Sequence, residues 1–171
     1  MVVSLDVGKI LKLKIMSSDF KEVGKVKSLE VQNWSIVGIR AELSKELTTR
    51  FFGKSTFRLI GEETLFLIKL VKNIGDVIIL NVTGPDLMAY SKLGQMFING
   101  CSVLKKEVMS VKDIDKFTKK IDEQIKEFLK EVEAIPGVSE MTQNSITRDV
   151  NVLREHLINT AYEQLGVEPK K

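Results

Sequence analysis

A chain of 171 residues, 43% apolar and 29% charged, can bury one hydrophobic core but not two large ones. Its net charge of +3 is unevenly shared: residues 1–83 carry 13 Lys and Arg against 9 Asp and Glu, residues 84–171 carry 13 against 14. The basic residues of the first half are scattered rather than gathered into a stripe, so protein ranks ahead of nucleic acid as the expected partner.

Residues 5–16, LDVGKILKLKIM, come near the alternation of a half-buried strand, and Ser17-Ser18-Asp19 follows as a turn. A second strand runs through Val23–Val31 and is broken at Gln32-Asn33. Trp34–Leu43 alternates cleanly, with Val37, Ile39, Ala41 and Leu43 on one face. These segments are close enough in sequence to pair antiparallel through short turns. Ser44–Gly53 breaks the pattern and fits a helix of about two turns, with Ser44 as N-cap and Gly53 as its end. Leu47, Phe51 and Phe52 would press onto the end of a sheet. Strand character returns at Leu65–Val71. The stretch Leu70–Leu80 then reads as an apolar run, a turn at Gly75-Asp76 and a second apolar run containing Val77 and Ile79. Five or six short strands with one short helix indicate a small barrel or curled sheet over residues 1–83, with Val37, Ile39, Phe51, Phe52, Gly75, Val77 and Ile79 in its core and closure.

Gly84-Pro85-Asp86 marks a boundary, because proline cannot continue a strand ladder. Residues 84–109 form a connecting segment with two readings. Leu87, Met88, Leu93, Met96 and Phe97 fit an amphipathic helix, whereas Asn99-Gly100 suits a type I′ hairpin turn. A helix ending near Asn99-Gly100, with extended chain after it, is expected. Residues 110–166 read as a helical hairpin. Val111, Ile114, Thr118, Ile121, Ile125, Phe128, Val132 and Ile135 recur at 3,4,3,4,3,4,3 spacing, which makes one apolar seam. Ser110 with Asp113 resembles a capping box, and Asp115–Lys119 and Asp122–Lys126 are i,i+4 pairs on the wet faces. Pro136-Gly137 ends this helix. Ser139 begins another, to Leu165, striped by Ile146, Val150, Leu153, Leu157 and Ala161. Residues 167–171 are a short flexible tail. The seam must cover either its own barrel or a second copy of itself, and a homodimer is expected.

Catalytic, cofactor and metal sites are not expected. Gly53-Lys54-Ser55-Thr56 resembles the end of a phosphate-binding loop, but Thr48 stands where the loop needs its first glycine. One Cys and one His make neither a zinc set nor a supported triad. His156 borders a helical stripe and reads as a surface or seam residue. Glu62 and Glu63 are adjacent, so on a strand they would point to opposite faces. Trp34, after a turn, reads as a core or rim aromatic rather than a base-stacking platform. Cys101, the single cysteine, permits no internal disulfide. The opening MVVSLDVGK has no signal-peptide pattern, and no apolar run approaches the ~20 residues of a spanning helix. The expected location is cytoplasmic.

Four short motifs, in order, give the first half a resemblance. They are Val7-Gly8-Lys9, the turn and strand Asp19–Val26 (DFKEVGKV), the helix Leu43–Lys54 (LSKELTTRFFGK) and the closing strand Ile74–Leu80 (IGDVIIL). Together residues 5–82 resemble the PRC-barrel domain, especially its archaeal stand-alone versions. Phe20 departs from the pattern, since many members have Gly in that turn. The resemblance implies an α+β protein: a small all-β barrel of about six strands and one short helix that binds rather than catalyses, followed here by the helical hairpin. It implies a non-enzymatic protein–protein adaptor, in archaeal cell division of the SepF- or Cdv-associated type, at the division site. The alternative it offers is an RNA- or ribosome-associated factor similar to the RimM barrel.

Overall fold

The computed structural model describes residues 7–53 and 62–169. The chain is α+β, a six-stranded mixed sheet with helices packed on it. Its elements are α1 (Val7–Ile10), β1 (Lys14–Met16), β2 (Glu22–Gln32), β3 (Ser35–Leu43), α2 (Lys45–Phe52), β4 (Glu63–Leu67), a 3-10 turn (Ile68–Leu70), β5 (Val71–Ile74), β6 (Ile78–Leu80), α3 (Gly84–Glu107), α4 (Lys112–Ala134) and α5 (Glu140–Gln164).

The sheet order is β4-β3-β2-β1-β6-β5, with β1 and β6 parallel and every other pair antiparallel. Among the described residues β4 and β5 are its edges, so the sheet is not closed as the barrel expectation required. Within it Ile15, Val23, Ile39, Ala41, Leu43, Phe66, Ile78 and Leu80 are buried. Ile39, Ala41 and Leu43 thus keep the inward parity read from the sequence, while Val37, further out, is half-buried. In β6 the parity is reversed: Ile78 and Leu80 are buried, and Val77 and Ile79 are only half so. An unbroken apolar run gives no alternation to fix the face, and here pairing with β1 fixes it through Ile15↔Ile78.

Three other local expectations change. The first half of the 5–16 segment is a helical turn rather than a strand, and Lys12 leaves it at φ 76, so only three residues join the sheet. Residues 5 and 6, and Lys54-Ser55-Thr56 of the loop-like motif, lie outside the described residues. The Leu65–Val71 strand divides into β4, the 3-10 turn and the start of β5. Gly75 is an exposed turn residue with open space where a Cβ would stand, and it has no positive φ, so it is not a core position. The short helix α2 matches its expected caps: the Ser44 Oγ accepts from Leu47 N at 3.3 Å, and Gly53 ends it at φ 71.

Residues 84–107 form one helix, without the expected break at Asn99-Gly100. Two glycines explain both its packing and the misreading. A Cβ on Gly94 would stand 2.1 Å from the Thr64 Oγ1 and 2.2 Å from the Leu65 carbonyl, so α3 lies directly against β4. The Thr64 hydroxyl donates to the Ser91 carbonyl at 2.6 Å across the same contact. A Cβ on Gly100 would meet Leu157 of α5 at 2.8 Å and Ile121 of α4 at 3.3 Å. Glycine in mid-helix costs about 1 kcal/mol relative to alanine. Here it admits a strand on one side and two helices on the other.

α4 and α5 therefore do not stand as a separate pair, because α3 packs on both. All nine seam residues, Ile114, Ile121, Ile125, Phe128, Val132, Ile146, Val150, Leu153 and Leu157, are buried within the one chain. Phe117 is buried where the sequence pattern placed Thr118, and the Thr118 hydroxyl bonds back to the Ile114 carbonyl. Val111 is exposed ahead of the helix. The start is capped as expected, with Asp113 Oδ2 accepting from the Met109 and Ser110 amides at 2.9 and 3.0 Å. Asp122 pairs across to Arg154 of α5, at 2.5 and 3.2 Å, and not with Lys126. Asp86 in the first turn of α3 accepts from the amide of Ser139, the N-cap of α5, at 2.9 Å.

Gly94→Ala is expected to lower the unfolding free energy by about 2 kcal/mol or more, because neither backbone can yield. Gly75→Ala should change it by less than about 0.5 kcal/mol. Urea denaturation of the two variants reads the difference.

Candidate functional site

Two features stand out above the fold, one buried and one exposed, and the β2–β3 hairpin carries both. Asn33 and Trp34 turn this hairpin with φ values of 48 and 64, the doubly left-handed geometry of a type I′ turn. Beyond Val26 on β2 and Gly38 on β3, the two strands pair only with each other among the described residues. The distal hairpin is therefore a projecting ribbon that needs support from elsewhere.

That support is a polar cluster against the helices. Glu30 on β2 accepts from Arg40 Nε on β3 at 2.8 Å. Its other oxygen lies 3.0 Å from His156 Nε2 on α5. His156 is buried, its ring stacked on Phe97 of α3 with centroids 5.5 Å apart. The Arg40 guanidinium also lies 5.9 Å from the centre of the Phe97 ring and 3.6 Å from the Cys101 sulfur. Nε2 is the ring nitrogen that faces Glu30, whereas the buried Nδ1 has no partner among the described residues. Of the two positions the sequence allowed, surface or seam, His156 therefore takes the buried one, between α3 and the hairpin.

The electrostatics fit a structural clamp. Burial pushes the Glu30 carboxyl up, but the His156 hydrogen bond and the Arg40 charge and hydrogen bond outweigh it, leaving it below the ordinary 4.5. Burial drives the Cys101 thiol up to about 11, with Arg40 only partly opposing, so the sulfur stays protonated. A protonated thiol is a poor nucleophile. Among the described residues no group of three His, Cys, Asp or Glu could hold a metal ion.

The exposed feature is the hairpin tip. Trp34 is fully exposed at 101%, and Val31, three residues before it, is exposed at 54%. It is neither core nor rim, as the sequence reading had it. From Val31 to Ile39 the ribbon carries no charged residue. Glu62 and Glu63, separate in the sequence reading, are also separate here: the Glu62 amide donates to Thr48 Oγ1 at 2.9 Å, and Glu63 pairs with Lys27. No helix among the described residues is long and apolar enough to cross a membrane.

Because the folded-state pKa of Glu30 is depressed, its contribution to stability is complete above the unfolded value and is lost as pH falls through the lowered one. Stability should therefore drop as pH falls below about 4.5. Glu30→Gln should flatten that drop and cost about 1–3 kcal/mol at neutral pH, since His156 and Arg40 lose their charged acceptor. Thermal unfolding of both proteins between neutral and acid pH measures it.

No protein-family model matches the chain, and no curated protein matches it in sequence, so its function is read from its own residues.

Proposed function

We propose that this chain is a non-enzymatic protein–protein adaptor of PRC-barrel type that presents the β2–β3 hairpin tip to a protein partner. The observation that carries the reading is a fully exposed tryptophan at the tip of a braced ribbon, in a stretch from Val31 to Ile39 that carries no charge. Tryptophan is the side chain most enriched at binding hot spots. Left in water it contributes nothing to the core, whereas the Glu30–His156 clamp holds the ribbon that bears it. The turn conformation at Phe20 supports the family resemblance. Phe20 stands at φ 63 and is 70% exposed, in the left-handed region where glycine sits without strain. Many PRC-barrel members have glycine at that turn.

Archaeal cell division, of the SepF- or Cdv-associated type, is the setting the resemblance favours, with a cytoplasmic chain acting at the division site. The burial of the seam within one chain supports the tip as the contact surface, and a homodimer would then form through surfaces other than the seam. An exposed tryptophan also suits the RNA- or ribosome-associated reading, through base stacking. The neighbouring charge weighs against it. Arg40, the basic side chain nearest in sequence beyond the ribbon, is held by Glu30, and phosphate binding needs free cations.

Trp34→Ala should leave the unfolding midpoint unchanged and lower partner affinity by 2 kcal/mol or more, about thirtyfold. Capture from a native lysate with wild-type and variant protein, read by mass spectrometry, tests this. A protein retained by the wild type and lost by Trp34→Ala fits the proposal. Equal capture by both, or capture abolished by ribonuclease, contradicts it.

A further inference from the structure

We propose that the groove between the N-terminal ends of α3 and α5 is a binding site for a small neutral polyhydroxylated ligand, a polyol or a monosaccharide. The groove encloses about 350 Å³, at the small end of ligand sites, which suits a single ring. Tyr90 of α3 and Thr142 of α5 line it, and Leu70 of the 3-10 turn and Val82 after β6 complete its walls.

Two hydroxyls open into this groove without a partner. Tyr90 is 5% exposed and Thr142 7%, so packing fixes both side chains. Neither hydroxyl makes a hydrogen bond among the described residues; it is the backbone amide of Thr142, not its side chain, that donates to Ser139 Oγ. Nor is either oxygen fully covered, in contrast to the His156 Nδ1. On residues buried this deeply, the opening left to the oxygen is the groove that both residues line.

The charges at the groove are already matched within the chain. Lys69 Nζ lies 2.5 Å from Asp149 Oδ2, 2.6 Å from Ser145 Oγ and 5.9 Å from the centre of the Tyr90 ring. Asp86 accepts from the Ser139 amide and hydroxyl at 2.9 and 3.1 Å, and so holds the place that an anion would take at the start of α5. An incoming cation meets Lys69 and an incoming anion meets Asp86. What remains unsatisfied is hydroxyl, and each hydroxyl can donate once and accept twice. A ligand hydroxyl answers in either sense from one atom, and neighbouring hydroxyls on one ring answer two fixed groups together. An amide divides donor and acceptor between two atoms and must match both. The C–H surface of a ring has Leu70 and Val82 to lie against.

The test is an NMR titration of the full chain with myo-inositol and with D-glucose, following the backbone amide signals of Tyr90 and Thr142. At least one of the two should shift these signals saturably, and sodium phosphate, ethylammonium chloride and acetamide at the same concentrations should not. Tyr90→Phe and Thr142→Val each remove one hydroxyl and keep the side chain's shape. Each should weaken binding about tenfold. Each should also leave the thermal unfolding midpoint at the wild-type value, because neither hydroxyl bonds within the chain. Weakened binding in both variants at an unchanged midpoint sustains the site. No saturable shift with either polyol, undiminished binding in either variant, a lowered midpoint, or binding of phosphate, ethylammonium or acetamide as tight as that of the polyol overturns it.

Discussion

The distance between α3 and its neighbours is the constraint on which the rest of the structure depends. At Gly94 the helix touches strand backbone, and at Gly100, nearly two turns later, it touches Leu157 and Ile121. One helix therefore joins a sheet built from the first half of the chain to two helices built from the second. Neither layer could approach as closely over a side chain, and interiors packed at crystal-like density cannot absorb the displacement elsewhere. The contact also sets the position of Phe97 and Cys101, and through them the depth at which His156 meets the hairpin.

This arrangement gives the polar cluster its meaning. A buried ion pair is weak support for stability in general, because desolvation offsets most of its attraction. Glu30, Arg40 and His156 instead provide specificity: hydrogen bonds with fixed partners on β2, β3 and α5 hold the projecting ribbon in one orientation. A hydrophobic contact there would bind equally well in several registers. The same chain that buries its histidine against Glu30 leaves its single tryptophan in water four residues beyond that glutamate. That contrast, a braced base and a bare tip, is why the ribbon reads as an interaction element rather than as a loose loop.

The sequence carried some of this plainly. α4 and α5 were legible because each buries a single stripe and begins with a capping side chain, Asp113 or Ser139. α3 was legible only as far as Asn99-Gly100, for the opposite reason. It is covered by the sheet on one side and by helices on the other, so Leu87, Leu93, Phe97 and Leu104 show no single stripe, and its packing glycines imitate breakers. The face of β6 was illegible because its apolar run is unbroken and its partner β1 is only three residues long. The open edges of the sheet could not be read from strand number, since six strands serve a barrel or a curled sheet equally. The clamp was invisible because His156 and Glu30 are 126 residues apart and each looks ordinary in its own segment. The exposure of Trp34 could have been suspected: it follows Asn33 at a break between two alternating runs, where a two-residue turn places its side chain outside.

The joining of sheet and helices requires α3 to be a single helix through its second half. Native-state hydrogen exchange across residues 95–107 tests this most directly. The amides from Gly100 to Leu104 should exchange only through global unfolding, with protection equal to that of β3 and α5. Rapid exchange after Asn99, with protection retained up to Ile98, would mean that the helix ends where the sequence pattern breaks and that the two layers are not joined by α3.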